Sequence, residues 1–200
     1  SALAHIGKGD IASAVARFEA GMKREDASAL LLATYARFEF MRGNWNRADD
    51  LSAKALKLEP ELIDGMLVRA DLLERRNELA ESRAMFKNVL RIHAANFDAR
   101  LGHARVLAAM GKGKEALEIA QDLQDEEPNS VAVAAVRASV AAQQKDWASV
   151  RSILQPFESG LAKQGDAAFL YGEALIQLGT SSVGTVSSMS PPADRSTTDP

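Results

Sequence analysis

The chain contains no cysteine. Disulfides, thiolate nucleophiles and cysteine-ligated zinc are therefore excluded. Histidine is nearly as scarce. His5, His93 and His103 stand apart, and none has a second histidine or a carboxylate four residues on to complete a metal pair on a helix. No serine sits in a nucleophile-elbow context. With nucleophile, base and metal constellations all missing, no enzyme activity and no cofactor are expected. No run approaches the roughly 20 apolar residues that a membrane-spanning helix needs. Neither sign of charge dominates: the formal net charge is -3. Nucleic acid is therefore not an expected partner. The opening Ser1-Ala2-Leu3 carries no basic or long apolar leader. No targeting segment is thus expected, and a cytoplasmic or periplasmic setting suits the chain equally.

What is present is an ordinary globular balance, 46% apolar and 26% charged over 200 residues. That suits one domain or a short repeat array. An internal period of 34 residues runs through it. Gly9, Gly43, Asn77, Gly111, Lys145 and Gly179 fall at one phase. Glycine and asparagine best tolerate the left-handed backbone that ends a helix. Ala2, Ala36, Ala70, Ala104, Ala138 and Gly172 fall at another, and Ala14, Ala48, Ser82, Ala116 and Val150 at a third. A small residue held at one phase implies that two helices approach closely there. Ile11, Trp45, Leu79 and Trp147 share a phase that should pack inward. Within units the apolar residues recur at spacings of three and four, as on an amphipathic helix, and Pro60 and Pro128 follow the second helices.

Each unit therefore reads as helix, short turn, helix, longer turn. This pattern resembles the tetratricopeptide repeat family, most fully in the unit from Ala29 to Leu62, through Leu32, Tyr35, Ala36, Gly43, Trp45, Ala48, Ala55 and Pro60. The resemblance implies an all-α fold, an α-α superhelix of stacked antiparallel helix pairs. The array should span 1–179: a partial first repeat, four full repeats over 29–164, and helix A of a further repeat at Asp166 to Leu178. Residues 180–200 hold ten Ser/Thr and three Pro and read as a flexible tail. The final helix would then lack its covering partner, so the C-terminal end could self-associate or continue into a longer chain.

The resemblance also implies a function, the binding of a partner's peptide or helix in the concave groove lined by the first helices of the repeats. By the family's groove positions the candidates are Arg37, Phe40, Met41, Leu67, Asp71, Arg75, Leu101, Arg105, Ser139, Phe169 and Glu173. Leucine or alanine at the fifth positions, with Arg or Asp at the ninth, leaves no clamp of the kind that holds a chaperone's C-terminal carboxylate. A second reading by family analogy is an assembly segment of a larger bacterial-type cell-envelope or exopolysaccharide-export protein. The turn Gly111-Lys112-Gly113-Lys114 invites a phosphate-loop reading, but it joins two helices and lacks the following Ser/Thr, so it reads as a solvated turn. Asp122, Asp125, Glu126 and Glu127 read as a solvated acidic face.

Overall fold

The computed structural model describes residues 11–23, 27–161 and 165–186, with backbone alone over 180–186. Every regular element among them is helical. They are α1 (Ile11–Met22), α2 (Ala29–Met41), α3 (Trp45–Leu58), α4 (Ile63–Arg75), α5 (Leu79–Ile92), α6 (Phe97–Ala109), α7 (Gly113–Glu126), α8 (Val131–Gln143), α9 (Trp147–Leu154), a 3-10 turn (Gln155–Phe157), α10 (Glu158–Leu161) and α11 (Gly165–Val186). The first helices of successive pairs begin at 29, 63, 97, 131 and 165, and the second at 11, 45, 79, 113 and 147. The step is 34 throughout.

The turn chemistry explains this regularity. Gly43, Asn77, Gly111 and Lys145 all have positive φ, at 80, 61, 75 and 58°. At each the chain closes the same two hydrogen bonds. The first copy is Gly43 N–H to the Phe40 carbonyl at 3.0 Å and Asn44 N–H to the Glu39 carbonyl at 2.9 Å. The last is Lys145 N–H to Ala142 at 2.9 Å and Asp146 N–H to Ala141 at 3.0 Å. The left-handed residue lets the orphan carbonyls of the ending helix be satisfied within the turn. Gly179 does not follow this phase. It lies inside α11, which runs on to Val186, past the expected end of the array. Between Thr180 and Val186 there is no proline to stop a helix. Of the tail, 187–200 lie outside the described residues, as do Ala2 and Gly9.

The chain forms two compact units, dividing after Leu123. In the first, α2 packs on α3 and α4 on α5, while α4 also packs on α2 and α6. The seam residues Ala36, Ala70, Ala104, Ala48, Ser82 and Ala116 are fully buried. Ser82 replaces alanine without penalty, because its Oγ donates to the Ala70 carbonyl at 2.8 Å. Phe18 stacks on Tyr35 with centroids 4.6 Å apart and lies against Phe38 at 5.4 Å. Gly102 on α6 makes room for Phe86 of α5: a Cβ there would stand 2.2 Å from the Phe86 Cζ. In the second unit α9 packs on α8 and α11 over Ala134, Ala138, Val150, Leu154, Tyr171 and Ala174. Gly172 departs from the small-residue phase. Nothing lies within 4 Å of a Cβ placed on it, since no further helix packs on that side among the described residues.

Candidate functional site

Three candidate residues at one repeat phase are joined. Arg37 on α2, Asp71 on α4 and Arg105 on α6 form a ladder across the first helices of the first unit. Arg105 Nη2 donates to Asp71 Oδ1 at 2.8 Å, and Arg37 Nη1 lies 3.6 Å from Asp71 Oδ2. Arg105 Nε also donates to Glu74 Oε1 at 2.7 Å. Burial works against the Arg105 cation, but its bonds to Glu74 and Asp71 outweigh this and raise its pKa. Burial pushes the Asp71 carboxyl above the usual range, with Arg105 and Arg37 pulling against it. The ladder ties neighbouring repeats together, and its members bond one another first. Arg37 has the loosest bond and is about a third exposed. The plus–minus–plus alternation at a step of 34 is written in the sequence, and it is the signal that these groups pair.

The other candidates divide. Met41 and Phe169 are 73% and 70% exposed. Arg75 is exposed and places its guanidinium 3.4 Å from the centroid of the Trp45 ring, a cation–π contact. Trp45 is thus not the core residue that its repeat phase implied. It opens α3 and is 40% exposed, since the first turn of a helix is covered on one side only. Phe40 is half-buried against the core, and Leu101 is half-buried. Leu67 is 4% exposed and packs with Met66, Phe86 and Val106, so it belongs to the interior and not to a binding face. In the second unit Ser139 Oγ donates to the Val136 carbonyl at 2.7 Å, and Glu173 accepts from Gln177 Nε2 at 2.9 Å. Both are half-buried.

The remaining motifs settle as structure. Gly111 turns the chain, and Lys112 pairs with Glu115 at 3.4 Å. The His103 Nε2 is buried without a hydrogen-bond partner among the described residues. Burial, then Arg83 and Lys87, lower its pKa, so the ring is neutral at pH 7. Among the described residues no cluster of His, Asp and Glu could hold a metal ion. Nor is any helix among them long and apolar enough to cross a membrane.

Residues 73–140 match the family described as tetratricopeptide repeat. No curated protein sequence matches the chain. Among solved structures it is similar to TTC0263, a thermophilic tetratricopeptide repeat protein of Thermus thermophilus. The TM-score is 0.69 at 17% identity, over 88% of this chain and 95% of that one. It is also similar to pilF of Pseudomonas aeruginosa, with a TM-score of 0.63 at 16% identity over 92% and 90% of the two chains. YrrB, described as a tetratricopeptide repeat protein with an unusual peptide-binding site, gives 0.55 at 17% identity, covering 81% and 84%. The fold is that of the tetratricopeptide repeat, an all-α array of antiparallel helix pairs.

Proposed function

We propose that this chain, which has the tetratricopeptide repeat fold and matches that family over residues 73–140, is a non-catalytic interaction module. It binds a partner's peptide or helix on the face formed by the first helices of its repeats. Proteins of this fold generally serve as scaffolds for other proteins. The observation that supports the reading is the exposure of Met41 in the first unit and Phe169 in the second, at 73% and 70%, each on a first helix at a position that the family resemblance assigns to binding. A large apolar side chain held in solvent contributes nothing to its own fold, and it gains most when a partner covers it. On the same helix as Met41 the cation of Arg37 is loosely held, and Arg75, at the repeat phase of Met41, has its guanidinium 3.4 Å from the Trp45 ring centroid. A partner segment with an apolar anchor and an acidic group fits these neighbours.

The test places a photo-crosslinking phenylalanine derivative at position 41 or 169 of the full chain, with position 54 on α3 as control. The expected result is a protein captured from 41 or 169 and not from 54, and lost when Arg37→Glu is added to the position-41 bait. Equal capture from all three positions would remove the face from consideration.

A further inference from the structure

We propose that the second unit carries a separate pocket for a carboxylate borne on an apolar group. Its origin lies in the length of α9. The helices α3, α5 and α7 each run for 14 residues, but α9 stops after 8. Pro156 stands just beyond its end and has no amide hydrogen to continue the ladder, so the chain leaves through the 3-10 turn Gln155–Phe157. The early stop leaves a concavity of about 550 Å³ between α8, α9 and that turn. This is within the range of small-ligand sites, roughly 300–1,000 Å³.

One side of the pocket is apolar, formed by Pro128, Ala134, Ile153 and Phe157. Arg137 supplies its cation, Ser152 a hydroxyl and Gln124 and Asn129 their amides, and no acidic residue lines it. Arg137 is half-buried, yet among the described residues no carboxylate or carbonyl accepts its N–H groups. Its repeat counterpart two units earlier, Arg69, bonds Asp49. In the sequence the phase of Asp49 is filled by Leu117, which offers no acceptor. A half-buried guanidinium without an acceptor forgoes charge-assisted hydrogen bonds, and a ligand carboxylate restores two of them through the guanidinium fork. A phosphate dianion suits the pocket less well, because no second cation lines it. The apolar wall beside the single cation selects an acid carrying a hydrocarbon group.

Such an acid could be a free small molecule or the last residue of a peptide, and the two are separable. The full chain is titrated with N-acetyl-leucine, with N-acetyl-leucinamide, and with a hexapeptide ending in leucine as the free acid. Binding is read by calorimetry and by the NMR shift of the Ile153 methyls. Both acids should shift Ile153, with the amide at least about tenfold weaker. Arg137→Gln should lose about tenfold and Arg137→Lys should recover part of it. Ser152→Trp, on the exposed rim, should block binding without touching the cation. A hexapeptide tighter than N-acetyl-leucine identifies a peptide terminus, and equal affinities identify a small acid. Acid and amide bound alike would overturn the proposal. So would binding indifferent to Arg137→Gln and Ser152→Trp, or no shift at millimolar probe.

Discussion

The contact between Phe86 and Gly102 gives the sharpest test of the packing. Gly102→Ala adds one carbon, and that carbon would lie 2.2, 2.4 and 2.8 Å from three atoms of the Phe86 ring. Ordinary carbon contacts lie near 3.5–4.0 Å, so the ring must retreat by roughly 1.3 Å. It has nowhere to go: Phe86 is 1% exposed and is packed with Met66, Leu67, Val89 and Val106. Overpacking of this kind costs about 1–3 kcal/mol, and the severity of the clash places this case at the upper end. Alanine recovers about 1 kcal/mol of helix propensity over glycine. The net expectation is a loss of about 2 kcal/mol, or a fall in Tm of roughly 4–8 °C for a chain of this size. Gly172→Ala is the control, since open space surrounds it on α11. It should be stabilising by up to about 1 kcal/mol. Thermal and urea melts of both variants decide the matter. Phe86→Leu in the Gly102→Ala background should cost less than the two single losses added together. If Gly102→Ala were as benign as Gly172→Ala, the packing of α5 on α6 described above would be wrong.

Three further expectations follow from the turns, the first aromatic cluster and the ladder. Lys145 holds a φ of 58° with a side chain attached, so Lys145→Gly should be stabilising by about 0.5–1 kcal/mol in a denaturant melt. Burial pushes the Tyr35 phenol up to about 12, with Glu19 accepting its proton at 2.8 Å. The folded chain thus holds that proton more tightly than the unfolded one. The associated stability is complete below a pH of about 10 and is lost as pH climbs toward 12. Tyrosinate absorbance should show a late component that disappears in Tyr35→Phe. Finally, Arg105→Gln should cost about 1–2 kcal/mol, because Asp71 and Glu74 lose the cation they share. Arg105→Lys should restore part of that stability, and an unchanged Tm in the glutamine variant would mean that the ladder contributes nothing.

The repeat frame is legible in the sequence because its constraints are local and steric. A left-handed turn asks for glycine or asparagine, and even Lys145, the unfavourable residue at that phase, adopts it. A close seam asks for alanine, and Ala36, Ala70, Ala104 and Ala138 are all fully buried. The candidate site is less legible, because phase fixes where a residue stands but not what surrounds it. Leu67 and Leu101 share a phase, yet Leu67 sinks into the core while Leu101 stays half-buried. Trp45 and Trp147 share another, yet Trp45 is 40% exposed beneath Arg75. The pocket beside Arg137 did have a signal. Pro156 falls at a second-helix phase held elsewhere by Lys54, Asn88 and Asp122, and a proline there cuts the helix short.

The identical turns make the first unit a set of interchangeable cassettes. The closing hydrogen bonds at Gly43, Asn77 and Gly111 involve the backbone alone, so each turn forms whatever side chains flank it. A duplicated copy of residues 63–96 would meet, at both of its new borders, a seam alanine and a turn it already knows how to make. What it would not inherit is the alternation of charge. A second Asp71 would face the first with no arginine between them. Nor would it keep the notch for Phe86, since Val68 stands at the phase of Gly102. Natural lengthening or shortening of such a chain is therefore gated by side chains at these two phases, while the turns accept any number.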